Sequence, residues 1–205
     1  RGRRTWRGRL AGLLSAPARA SALLDGARAR CAGYRLQAIP RFDERVDPIW
    51  HAVRSEHELL VTRDLRALRW RFDEGPDRES YHRFYLLRGS RCVGYVVLRR
   101  GELLGSEVVF VIDLLCPGRH LGALASLLAA RTATTSAAAV VLDLLDARAG
   151  RILRRHGFLR VQRASQRRFL AQTREHRELL SDPSRWFVTR ADSDWDHPNA
   201  VETGE

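Results

Sequence analysis

The sequence predicts a mixed α/β domain, with an antiparallel three-strand meander first, alternating helices and strands after it, and helices on both faces of the sheet. Three observations carry this. Residues 81–115 hold three apolar runs separated only by Arg88-Gly89-Ser90-Arg91 and by Arg100 to Gly105. Such short, glycine-bearing gaps close antiparallel hairpins. The stretch GSEVVFVIDLLCPGRHLGALASLLAA (105–130) then runs from an apolar strand through a Pro-Gly corner into an Ala- and Leu-rich helix. Finally, AAAVVLDLL (137–145) reads as one buried strand, with a further helix near 147–156.

Each element has a local reason. Trp6, Leu10, Leu13 and Leu14 share one face of a helix over 4–14, with Arg on the other face. Ser15 is placed to cap a second short helix, with Pro17 in its first turn and Gly26 at its end. YRLQAIP (34–40) is strand-like, and Asp47-Pro48 supplies a cap and a first helical position ahead of Ile49, Trp50 and Val53. Thr62 is the expected cap of the next helix, with Leu65, Leu68 and Trp70 inward and a break from Asp73 to Asp77 around Gly75-Pro76. After the meander and the 119–133 helix, Gly157 suits a left-handed helix end. FLRV, RRFLAQ and RWFVTR (185–190) are the remaining candidate strands.

The chain is long enough for one full domain at 205 residues, and no apolar stretch reaches the length of a membrane span. All 36 basic residues are Arg, and the net charge of +12 is uneven. Residues 1–40 and 146–190 each carry +8, residues 41–145 carry +1, and 191–205 carry −5. This divides the chain into a basic helical segment or remnant of a preceding domain (1–40), a central domain (41–190) and an acidic tail (191–205). The basic amphipathic helix suits either an anionic membrane surface or a neighbouring domain, and the second is the expectation. Zinc-finger spacing and aromatic-glycine RNA motifs are both missing, so nucleic acid is not the expected partner. With no Met in the sequence, the chain reads as a fragment whose preceding domain is missing. Cys31, Cys92 and Cys116 are odd in number and widely spaced, which points to reduced thiols in a cytoplasmic protein. The seven His show no ligand spacing, and no metal site is expected.

The element order, VGYVVL in the hairpin, the 105–130 corner and RILRRHGF before a strand together resemble the GNAT superfamily of acyl-CoA-dependent N-acetyltransferases over residues 41–190. The helix LRALRWRF and the closing WFVTRADSDWD look like bacterial GNAT-type proteins with two such domains in tandem, of which this chain would be the second. The resemblance implies a GNAT-like fold, acetyl-CoA as co-substrate and an amine as acceptor. In that family, backbone N–H groups at a strand-to-helix corner grip the CoA pyrophosphate, where the helix dipole also favours negative charge. It implies that Leu114, Leu115, Cys116, Arg119, His120, Leu121, Gly122 and Ala123 hold the CoA, with Asp146 and Ala149 on the next helix. Of the family's Gln/Arg-x-x-Gly-x-Gly/Ala pattern, Arg119 and Gly122 match and Leu124 departs, where a leucine could crowd a phosphate.

A second departure concerns the proton donor. The family's Asn-x-x-Ala-x-x-x-Tyr appears here with Asp146, Ala149 and Leu153, and leucine cannot protonate a leaving thiolate. Candidate bases for an acceptor amine are Glu107 and Asp113 on the fourth strand and Asp143 on the fifth. Glu107 and Asp113 share a face in a regular strand and take opposite faces if one residue bulges between them. Cys116 is either a thiol near the thioester or an inert buried one. Two functions follow. One is an acyltransferase acting by direct amine attack with backbone stabilisation of the oxyanion. The other is a degenerate domain that supports a catalytic partner.

Overall fold

The computed structural model describes residues 6–103, 105–159, 178, 182 and 185–192. In chain order it contains helix α1 (Trp6–Cys31), strand β1 (Tyr34–Ile39), helix α2 (Val46–Val53) and strand β2 (Leu59–Leu60). Helix α3 (Leu65–Leu68) continues into a π-helical turn (Arg69–Asp73), and a short 3₁₀ turn (Arg78–Ser80) leads into the meander. The meander is β3 (His82–Arg88), β4 (Arg91–Leu103) and β5 (Ser106–Leu115). Then come α4 (Gly118–Ala133), β6 (Ala139–Leu142), β7 (Leu144–Leu145), α5 (Ala147–Arg155) and β8 (Trp186–Thr189).

Five strands form a mixed sheet in the order β1-β3-β4-β5-β6, antiparallel at every junction except the parallel β5–β6 pair. Gly89 and Gly105 turn the hairpins at φ 58° and 73°, a region that costs glycine nothing. A small second sheet has the order β2-β8-β7. On one face of the main sheet, α1 and α4 pack together, and the Arg131 guanidinium lies 4.6 Å from the Phe84 ring centre. On the other face, the rings of Phe42, Phe72, Tyr85 and Tyr95 form a buried aromatic cluster against α2 and the π-helical turn.

The register also fixes which side chains share a face. Val97 pairs with Asp113 but Leu98 pairs with Val111, so Ile112 is an extra residue on β5. The bulge settles the geometry left open above: Glu107 and Asp113 point to opposite faces.

Several local expectations are corrected. The two helices expected to break at Ser15 and to end at Gly26 are one helix that runs through Pro17 to Cys31. Gly26 is a contact point, not an end: a Cβ there would stand 2.3 Å from the Ala130 Cβ of α4. Ala29 of the same helix is buried in the core. The strand of the basic segment, β1, is hydrogen-bonded to β3 along its whole length, so residues 34–39 belong to the main sheet. Helix α2 starts at Val46, and Asp47 does not cap it but accepts the Leu65 N–H at 2.9 Å. Asp64, not Thr62, caps α3 by accepting the Ala67 N–H at 2.8 Å. Trp70 faces solvent at 68% exposure, because the π-helical turn rotates the following residues and buries Phe72 and Asp73 instead. The single strand expected over 137–145 divides at Asp143 into β6 and β7, which pair with different sheets. Gly157 does take the left-handed conformation, at φ 84°. RRFLAQ and the second half of FLRV lie outside the described residues.

Candidate functional site

The division at Asp143 opens the site. Strands β5 and β6 pair from Val108–Ala139 to Val111–Leu142 and then part. β5 runs on to Leu115, while the other strand resumes as β7 against β8. α4 begins just beyond one strand and α5 just beyond the other. A crevice at the carboxyl ends of diverging parallel strands is where open α/β sheets take ligands. The loop between α2 and β2 reaches this place, since the Gly118 N–H in the first turn of α4 donates to a Glu56 carboxylate oxygen at 3.2 Å. Its next residue, His57, sets its ring 4.8 Å from the Phe187 ring of β8.

The first turn of α4 has the chemistry of an anion cradle. Pro117 precedes it with extended backbone and offers no capping side chain, and the carboxylate of Glu56, itself an anion, is seated on its Gly118 N–H. Leu124 does not crowd this turn, because its side chain is fully buried in the core. Gly122 has a different task from the one expected. A Cβ there would lie 2.6 Å from the His156 Nε2, so the missing side chain makes room for α5 rather than for a phosphate. Beside it, the Ser126 hydroxyl is 2.9 Å from His156 Nδ1, which ties α4 to α5.

The remaining expected cofactor residues divide between the cradle and the core. Arg119 is exposed on the first turn of α4, and Ala123 is half-buried one turn further on. Leu114, Leu115 and Leu121 are buried in the core. His120 turns toward β1, where its Nδ1 is 2.9 Å from the Tyr34 hydroxyl. Asp146 caps α5, accepting the N–H groups of Arg148 at 2.7 Å and Ala149 at 3.2 Å, and Ala149 is buried. Burial pushes the Cys116 thiol up to about 12, so it stays protonated and the inert reading holds.

Of the three expected bases, Asp113 and Glu107 do not reach the crevice, and Asp143 at its edge is engaged in an ion pair. Asp113 is sealed in an ion network with Arg63, each only 2% exposed, at 3.1 Å between Nε and Oδ1. Thr189 donates to the same Oδ1 at 2.8 Å and Tyr95 to Oδ2 at 2.8 Å. Arg63 also donates to Thr189 and to Asp192. A carboxylate with both oxygens engaged and no solvent path pins β8 to β5 and has no access to an amine. Glu107 is exposed but holds Arg100 at 3.2 Å and Ser136 at 2.7 Å at the start of β5. Nine residues separate it from Cys116, roughly 30 Å along a strand. Asp143 is bound by Arg190 at 2.8 Å.

Sequence reasoning missed Glu56 and His57. They belong to no motif, and only the fold brings their loop to the start of α4. His57 is half-buried, and burial lowers its pKa from 6.5 against the opposing pull of Asp146 and Glu56.

No family model matches the chain, and no curated protein matches it. Among solved structures it is similar to an aminoglycoside acetyltransferase from an uncultured soil metagenomic sample, in complex with sisomicin. That likeness has 14% identity over 69% of this chain and 97% of the other, with a TM-score of 0.46. A Trypanosoma brucei acetyltransferase is 15% identical over 68% of this chain and 99% of its own, with a TM-score of 0.44. A protein from Thermus thermophilus is 20% identical over 68% of this chain and 99% of its own, with a TM-score of 0.41.

Proposed function

We propose that this chain is an acyltransferase domain of the GNAT type, transferring an acetyl group from acetyl-CoA to a primary amine. The observation that carries it is the crevice between β5 and β7, flanked by the first turns of α4 and α5, with an anion already seated on the Gly118 N–H. Under this reading, the first turn of α4 and the exposed Arg119 would hold the CoA phosphates. The bound CoA would supply the activated thioester. The chain's own contribution is to orient it and to manage the protons.

A second reading, a non-catalytic domain that supports a partner domain, has one observation in its favour. Leu153, where the family has a tyrosine, is a buried core residue that cannot donate a proton. Calorimetric titration with CoA and with AMP, alongside hydrogen exchange at residues 118–122, tests the acyltransferase reading. CoA should bind more tightly than AMP and protect those amides. CoA binding no tighter than AMP, with no protection, would sink the acyltransferase reading and leave the second. Binding without turnover of acetyl-CoA across a panel of primary amines would leave the second.

A further inference from the structure

Resting on the acyltransferase reading, the geometry points to His57 as the group that takes the proton from the acceptor ammonium. The other acid–base groups considered for this step are engaged or placed elsewhere. Asp113 has both oxygens engaged inside the core, Glu107 stands at the far end of β5, Asp143 is ion-paired with the buried Arg190 at 2.8 Å, and Leu153 carries no proton. His57 instead follows the residue that touches the first turn of α4, and its ring lies against Phe187 in the small sheet that β7 joins. It therefore stands at the mouth of the crevice between the starts of both flanking helices.

The charges around it suit the task. Glu56 lies on its own loop, Asp146 and Arg148 on the first turn of α5, and Arg63 ahead of α3. Burial keeps the imidazole neutral at physiological pH, so a ring nitrogen has a free lone pair, while Asp146 and Glu56 favour the cation once a proton arrives. The step balances as follows. R–NH₃⁺ gives one proton to His57, and the freed amine pair forms the C–N bond at the thioester carbonyl. The C–S bond breaks with its electron pair going to sulfur. The second nitrogen proton is lost as the thiolate gains one, and the His57 proton passes to solvent. The products are the amide, CoA thiol and one H⁺.

The test uses the full chain, acetyl-CoA and a panel of primary amines, with His57→Gln and the exposed His51→Gln as a control. CoA affinity should be the same in all three proteins. Turnover should fall roughly 10²–10⁴-fold in His57→Gln only. In the parent, kcat/KM should rise with pH through an ionisation below 6.5, and that inflection should vanish in His57→Gln. A titration of the parent's His57 ring by NMR, assigned through its contact with Phe187, should give the same midpoint without any variant. Equal rates and profiles in parent and His57→Gln, or a ring midpoint that disagrees with the kinetic one, would overturn the assignment. CoA binding with no turnover on any amine would overturn it too, while leaving the binding site. Failure to bind CoA would instead remove the acyltransferase reading beneath it.

Discussion

At Gly26 and Gly122 the smallest side chain sets how closely two helices meet. Gly26 lets α1 meet α4, and Gly122 lets α4 meet the imidazole at the end of α5. Gly26→Val should force the helices apart, costing about 1–3 kcal/mol in urea unfolding. An unchanged midpoint would mean that α1 does not hold its place on α4. Three histidines give a second residue-level expectation. Burial lowers the pKa of His57, His82 and His120 from 6.5, and Arg119, Arg88 and Arg91 lower His120 further. Between the folded-state values and 6.5, the unfolded chain therefore binds more protons than the folded one. Stability must rise with pH through that interval and fall as the pH drops through it. His120→Gln should flatten the slope of melting temperature against pH, and a slope as steep as the parent's would count against this account.

Elements were legible where turn chemistry and periodicity agreed. The meander could be read because Gly89 and Gly105 sit in gaps too short for anything but hairpins, and both adopt positive φ. α3 could not be read past Leu68, since a π-helical turn leaves no periodic signature and reverses the places of Trp70 and Phe72. The expected caps of α2 and α3 each stand two positions from the actual ones, because Asp47 serves a neighbouring element and Asp64 competes with Thr62. The corner at Cys116-Pro117-Gly118 was visible, but its partner Glu56 lies 62 residues away in sequence and only the fold joins them. α1 carries the element-scale prediction. Its later turns bury Gly26 and Ala29 on the α4 side of the sheet, so removing residues 1–32 should lower stability and expose α4 to exchange. A truncated chain with an unchanged melting temperature and near-UV signal would show that α1 is an appendage after all.

Across the whole molecule, two sheets are joined by buried charge. Arg63 lies in the loop after β2, Asp113 on β5, Thr189 at the end of β8 and Asp192 just beyond it, so one guanidinium links the small sheet to the large one. Arg190 repeats the arrangement, bonding Asp143 at 2.8 Å and lying 4.1 Å from the Phe110 ring centre. These links hold β8 close to the crevice and so place Phe187 against His57. Removing one partner from such a network strands the others: Arg63→Ala should cost about 3–5 kcal/mol, because Asp113 and Asp192 would be left buried without their cation. The loss should also depend on pH. Without Arg63, the folded state would hold a proton on Asp113 to a higher pH than the unfolded chain does. The folded state then binds more protons, so the variant should be least destabilised in acid and progressively worse as the pH rises above the usual carboxylate range. Arg63→Met combined with Asp113→Leu and Asp192→Asn should recover much of the loss, since an apolar replacement removes the stranded charge. A penalty for Arg63→Ala that is independent of pH, and not relieved by the triple variant, would mean that the residue contributes by packing alone and that charge does not join the two sheets.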